Sequence, residues 1–204
     1  VFEGGGIESD GQGTLLTTDS VVVEPNRNAG VDEEVLRTHL MEILGGKRLL
    51  SLENGELEGD DTDGHIDTLA RFLTPEMIAY VGSDDERDSH YHALRRMREE
   101  LENFRTLEDK PYQLVELPLP PAIYDEEGER LPATYANFLF VNGALLVPTY
   151  GVPSDEVALE RLRKALPELA VVGVDSRALI YQHGSLHCAT MQFPKGFINK
   201  NKWN

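Results

Sequence analysis

The chain repeats itself, and the repeat limits what it can fold into. Three stretches follow one plan: short strand, tight turn, apolar strand, helix, strand. The first runs from FEGGGIESDGQGTLLTT through a helix near 32–44 to RLLSL. Val35, Leu36, Leu40, Ile43 and Leu44 mark one face of that helix, and Gly45-Gly46 ends it. The second runs from GHIDTLARFL through MIAYVG and a long helix to YQLVEL, with Leu94, Met97, Leu101 and Phe104 three and four apart. The third runs from YANFLFVNGALLVPTYG through a helix to AVVGV; Ser154 is its expected N-cap and Pro167 its stop. Asn142-Gly143 between two apolar runs is a strong hairpin signal. A last strand, RALIYQ, is expected to lead into the closing segment GSLHCATMQFP.

These boundaries give one α/β domain over 1–204, with units about 1–60, 61–130 and 131–180 and a closing strand and tail over 181–204. Units that each make a small sheet plus a covering helix stack around an axis or along a line. Their entry strands then occupy equivalent places. Glu3, His65, Asp67, Asn137 and Cys188 sit at those places. The segments between units, ENGELEGDDTDG at 53–64 and LPPAIYDEEGERLPA at 119–133, are turn-rich and read as surface loops near the entry strands. KGFINKNKWN reads as a polar tail.

Composition narrows the function. Hydrophobic residues are 40% and charged residues 27%, ordinary for a globular chain. The net charge of −17 argues against a nucleic-acid partner, which needs a basic surface. It is compatible with a small cation. Apolar runs such as FLFV are too short to cross a membrane. A single cysteine makes no internal disulfide, and no signal peptide is visible at VFEGGG, so the expected setting is cytoplasmic. The start reads as the middle of a strand running into a turn, which suggests a piece of a longer protein.

Cys188 is the only thiol. A lone cysteine is more often a small buried hydrophobe, but the polar, glycine-led approach SLHCAT is poor core packing. A nucleophilic thiolate needs a base or cation nearby. His187 adjoins it, yet neighbours on a strand face opposite ways, so His65 is the better base. On a strand, His65 and Asp67 would share a face. Glu3 is placed to hold an imidazolium, and Asp67 to hold a planar cation by two parallel hydrogen bonds. Each of these has a bland alternative, since strand histidines are often structural and strand-opening acids often solvated. EGGGIESDGQG matches neither phosphate-binding pattern and reads as hairpin chemistry. His90 and His92 with Asp84, Asp85 and Asp88 match no zinc spacing, so no metal and no cofactor are expected.

Four segments in order, FEGGGIESDGQGTLLTT, DDTDGHIDTLARF, YANFLFVNGALLVPTYG and GSLHCATMQFP, resemble successive motifs of the agmatine deiminase and bacterial (Porphyromonas-type) peptidylarginine deiminase family, over the chain to about residue 194. That family lies in the guanidine-modifying superfamily. The resemblance implies the pentein-type α/β propeller of ββαβ units, with about three of five present here. It implies Cys188 as nucleophile, His65 as general acid/base, Glu3 orienting His65, and Asp67 binding the guanidinium. Asn137 matches an active-site asparagine of the peptidylarginine branch, and Asp63 would help shape the entrance. A second guanidinium-holding aspartate of the family would lie upstream of residue 1. Two departures sit near the site: His183-Gly184-Ser185-Leu186 where many agmatine deiminases have Gly-Gly-Gly-Asn, and Thr68 where asparagine is common.

The expected function is hydrolytic deimination of a small cationic guanidinium substrate, agmatine first, through a covalent cysteine thiouronium. The acidic loop 53–64 suits agmatine's ammonium. Peptidylarginine or free arginine is the alternative substrate. A non-catalytic cation-binding propeller and an amidinotransferase are the rivals from other classes. A homo-oligomer is compatible with the sequence.

Overall fold

In the computed structural model, which describes residues 1–193 and 197, each repeat builds one three-stranded sheet. In the first, β1 (Glu8–Ser9) pairs antiparallel with β2 (Thr14–Thr18), and β2 pairs parallel with β3 (Arg48–Leu52). In the second, β4 (Ala70–Thr74), β5 (Met77–Gly82) and β6 (Gln113–Pro118) repeat that order. In the third, β7 (Leu139–Val141), β8 (Ala144–Thr149) and β9 (Ala170–Asp175) do so again. A parallel neighbour cannot be reached by a tight turn, so each unit needs a crossover. Helices α1 (Asp19–Val23), α2 (Pro25–Asn28) and α3 (Glu33–Leu44) provide it in the first unit; α4 (Tyr91–Asn103) and α5 (Ser154–Ala165) provide it in the others.

The registers are equivalent: Leu16 lies opposite Glu8 and Leu50, Tyr80 opposite Ala70 and Glu116, and Leu146 opposite Leu139 and Val172. The β7–β8 hairpin closes through Asn142-Gly143 as expected, with Gly143 at φ 85°. Asp10 shapes the β1–β2 turn by accepting from the N–H groups of Gln12, Gly13 and Thr14.

The helix ends follow the sequence with one exchange of roles. The Asp32 carboxylate caps α3 and Gly45 ends it at φ 68°. Ser154 is not the cap of α5; its hydroxyl meets Tyr135 Oη at 2.8 Å. Asp155 gathers the N–H groups of Tyr150, Gly151 and Val152 at 3.0, 2.8 and 3.1 Å, because a carboxylate has about four acceptor sites where a hydroxyl has two. α5 ends at Ala165, just before Pro167.

Two cores lie between consecutive units. Leu16 and Leu52 meet Ile66, Leu69, Tyr80, Leu94, Met97 and Leu101. Leu73 and Leu117 meet Phe138, Leu145, Val147, Leu162 and Ile180. Each fully buried leucine contributes about 1.5–3 kcal/mol. Leu94, Met97 and Leu101 of the α4 stripe are buried as their spacing predicts, and Phe104, just past the helix end, is half-buried. The α3 stripe is only partly so: Leu40 is buried and Leu36 half-buried, while Val35, Ile43 and Leu44 are exposed, because the face turned toward α1 and β3 is that of Leu36, Arg37, Leu40 and Met41. The loops 53–64 and 119–133 are partly core, through Leu57, Leu131 and Ala133.

Two expected strands are absent among the described residues. RALIYQ forms a turn and a 3-10 segment, Ile180–Gln182, because short-range bonds from Leu179 and Ile180 N–H to Ser176 O fold it back on itself. The start of the chain forms a 3-10 turn, Gly4–Gly6, closed by Gly6 N–H to Glu3 O. The tail expected over 195–204, and Pro194 before it, lie outside the described residues except for position 197.

Candidate active site

The polar residues singled out above do not sit on strands. Glu3, His65, Asp67 and Asn137 sit in turns that precede the first strand of a unit, Cys188 sits in the closing turn, and the stacking of units brings those turns together. Thr17 Oγ1 donates to Gly6 O at 2.7 Å and Thr18 Oγ1 to Gly64 O at 2.8 Å, so strand β2 holds the turns of Glu3 and His65 side by side. Asp60 accepts from Thr62 and Gly64 N–H, and Thr62 Oγ1 accepts from His65 N–H at 3.2 Å. This tight loop, with Asp63 at φ 60° and Gly64 at φ 86°, delivers His65 inward. Residues Ile66–Thr68 form a 3-10 turn rather than a strand, since Thr68 N–H and Oγ1 both bond to His65 O. His65 and Asp67 therefore converge by a turn and not by sharing a strand face.

Gly5 fixes how closely they approach. A Cβ at Gly5 would lie 2.6 Å from His65 Nδ1 and 3.0 and 3.1 Å from the two Asp67 oxygens. Only a residue without a side chain lets the backbone rest against both groups.

His65 is buried, and its Nε2 lies 3.6 Å from Glu3 Oε2. The closer partner of Glu3 is Arg27, whose Nε donates at 2.8 Å. Arg27 also donates to Asp63 Oδ2 at 3.0 Å and Thr62 O at 2.8 Å. Sequence reasoning missed Arg27, because PNRN carries no pattern that separates it from a loop arginine. Burial alone would raise the Glu3 pKa, but Arg27, with a backbone hydrogen bond and His65 adding to it, holds the carboxyl below its ordinary value.

Cys188 lies in a turn beyond the 3-10 segment. Its sulfur is 3.2 Å from Asn137 Nδ2 and 3.6 Å from Asp67 Oδ2. Asn137 is fully buried and acts as the joint: Nδ2 also donates to Asp67 O at 3.2 Å, and Oδ1 accepts from His187 N–H at 2.8 Å and Cys188 N–H at 3.3 Å. Burial first, and then the Asp67 carboxylate, push the Cys188 thiol up to about 11.

His187 corrects the sequence reading. Because its segment is a turn, it does not face away from Cys188. Its Nδ1 meets Asp67 Oδ2 at 2.7 Å, and it lines the same cavity. The i, i+1 rule that excluded it holds for strands only.

One cavity of about 940 Å³ is lined by Glu3, Gly5, His65, Asp67, Arg71, His187 and Cys188. Asn137 sits beneath it. Asp63 does not line it and instead pairs with Arg27. Two buried polar atoms of these lining residues have no hydrogen-bond partner among the described residues: His65 Nε2 and Asp67 Oδ1. Leaving such atoms unpaired is costly, and a bound cation with several N–H donors would satisfy the carboxylate.

His90, part of the acidic cluster near α4, is accounted for structurally. Its Nδ1 meets Asp88 Oδ1 at 2.8 Å and its Nε2 accepts from Glu58 N–H at 2.8 Å. No helix among the described residues is long and apolar enough to cross a membrane.

The chain is similar to known proteins along most of its length. A family model described as Porphyromonas-type peptidyl-arginine deiminase matches residues 1–194. A crystal structure from Porphyromonas gingivalis, provisionally named an arginine deiminase, is 55% identical with a TM-score of 0.94, over 97% of this chain and 58% of that one. A C. jejuni agmatine deiminase, in a cysteine-to-serine variant with substrate bound, is 46% identical with a TM-score of 0.85, over 92% of this chain and 55% of that one. A Vibrio parahaemolyticus protein, provisionally named an agmatine deiminase, is 34% identical over 95% of this chain. This chain spans 58% of that relative's length. On the family match, the three ββαβ sheets and the shared architecture, the chain belongs to the Porphyromonas-type peptidyl-arginine deiminase family and has the pentein-type α/β fold.

Proposed function

We propose that the protein hydrolyses a guanidinium group to a urea and ammonia, with agmatine as the first substrate and N-carbamoylputrescine as product. The observation that carries this reading is a fully buried Asp67 with one oxygen unpartnered, 3.6 Å from the chain's only thiol, at one cavity with His65. A guanidinium ion is flat and carries several donors, and a carboxylate binds it by charge-assisted hydrogen bonds. The named activities of the relatives point to the same chemistry.

In this reading Asp67 holds and localises the cation. The positive charge beside Asp67 offsets the carboxylate that raises the thiol pKa, and this favours the Cys188 thiolate. The thiolate adds to the guanidinium carbon. The carbon–nitrogen bond breaks, and ammonia leaves with a proton from His65. A thiouronium remains on sulfur. Water then attacks the same carbon and His65 takes one of its protons; the carbon–sulfur bond breaks to free the thiolate, and the remaining hydroxyl proton passes to solvent as the neutral urea leaves. Glu3 supports the imidazolium, and Asn137 Nδ2 donates to the sulfur. General acid–base transfer contributes about 10²–10⁴ in rate, and positioning contributes more.

A second reading has its own support. The matched family is described for peptidyl-arginine, and the 55% identical structure is provisionally named for arginine. An arginine residue would place the same guanidinium on Asp67. Ammonia release from agmatine, free arginine and an arginine peptide separates the two. Highest kcat/KM on agmatine is expected; highest kcat/KM on the peptide would transfer the assignment. No release from any of the three would leave a cation-binding protein without turnover.

A further inference from the structure

Asp67 can align a flat cation only if its own carboxylate is held in one orientation. The group that holds it is His187, through Nδ1 at 2.7 Å from Oδ2. The other ring nitrogen, Nε2, lies 3.2 Å from Arg71 Nη2. Arginine has donors and no acceptor. A hydrogen bond at that distance therefore needs a lone pair on Nε2. A neutral imidazole carries one N–H, which must then be on Nδ1, aimed at Asp67.

Arg71 is itself tightly fixed. It is buried, its Nε meets Glu8 Oε1 at 2.5 Å, its Nη1 donates to the Phe138 carbonyl, and its Cζ lies 4.7 Å above the Phe138 ring. Its donors thus reach β1, the turn before β7 and the closing turn, while its backbone belongs to β4. The guanidinium ties three units to one ring nitrogen.

We propose that Glu8, Arg71 and His187 form a positioning relay that sets the His187 tautomer and so holds the Asp67 carboxylate with Oδ1 unspent. The opposite tautomer would face an N–H against arginine N–H groups and a lone pair against the carboxylate, and both contacts are repulsive. Asp67 would then turn away from its partner. None of the three relay residues needs to touch the reacting atoms. The catalytic consequence rests on the reading that Asp67 binds the guanidinium; the tautomer assignment does not.

The test is histidine ¹⁵N spectroscopy of the protein, with long-range ¹H–¹⁵N correlations that report which ring nitrogen is protonated. The His187 signals are assigned by their loss in His187→Gln. His90 supplies an internal reference for a protonated Nδ1 and a bare Nε2, since it donates to Asp88 and accepts from Glu58 N–H. His187 is expected to show the same pattern, and Arg71→Met, which leaves only Asp67 to favour a proton on Nδ1, is expected to let a proton appear on Nε2 of His187 while leaving His90 unchanged. A proton on Nε2 in the unmodified protein, or an unchanged pattern in Arg71→Met, overturns the proposal.

A second pair of variants leaves Arg71 and its packing in place, and so keeps the claim testable if Arg71→Met does not fold. Glutamine keeps a donor and an acceptor at position 187; leucine has neither. His187→Gln is expected to stay within about tenfold of the unmodified kcat/KM, and His187→Leu to lose about a hundredfold. Equal losses would show that the ring itself handles protons and would overturn the positioning role. Absence of turnover in the unmodified protein would sink the proposed reaction and leave the tautomer result standing.

Discussion

Replacing Asp67 with asparagine should make Cys188 easier to ionise, although it damages the site. Cys188 is the only cysteine, so alkylation reports on one sulfur. The thiol opens on the cavity, yet protein is packed around it, and this burial raises its pKa more than the Asp67 carboxylate does. Both effects disfavour the thiolate. Moving the group from 9.0 to about 11 leaves about a hundredfold less thiolate at neutral pH than in an ordinary cysteine. The alkylation rate with iodoacetamide should therefore inflect near pH 11 and be correspondingly slow at pH 7. In Asp67→Asn the inflection should fall toward 9.0 without reaching it, because the burial remains. The sign for stability follows: the protonated thiol contributes fully below pH 9.0, and its contribution is lost as pH rises through about 11. An inflection at or below 9.0 in the unmodified protein refutes the reasoning, and one that Asp67→Asn does not move refutes the carboxylate's share.

Gly5→Ala should lower kcat/KM about a hundredfold or more in steady-state assays, because the new Cβ would meet His65 Nδ1 at 2.6 Å. Gly4→Ala is the control and should be nearly silent, since nothing lies within 4 Å of a Cβ there. Arg27→Met should raise the Glu3 carboxyl pKa, measured by carbon NMR titration, because burial is then opposed only by a backbone hydrogen bond and His65. Glu3 contributes stability above its ordinary 4.5 that is lost as pH falls through the lower folded value, so the variant should lose less stability on acidification than the parent.

The repeat, its helices and the buried face of the second-unit helix were legible because spacing encodes them. Leu94, Met97 and Leu101 needed no tertiary context to be assigned. The stripe on α3 misled because periodicity says which residues align, not which neighbour covers them. Cys188, His65, Asp67 and Asn137 were legible as a set because they occupy equivalent positions in the repeat. Their local structure was not. Short turns such as Ile66–Thr68 are decided by side-chain bonds from Thr62 and Thr68 that no periodicity reveals. His187 was lost to that error, since opposite facing holds only on a strand. Arg27 and Arg71 were invisible for another reason: their partners lie 24 to 116 residues away, and an arginine carries no sign of where its fork will point.

The covalent step can be tested most directly by stopping turnover in acid and weighing the peptide that carries Cys188. The account predicts a mass increase on Cys188 equal to the guanidine substrate less ammonia, formed during turnover and absent in Cys188→Ser, which should release no ammonia. Turnover without that adduct, together with ammonia release by Cys188→Ser at the parent rate, would contradict it.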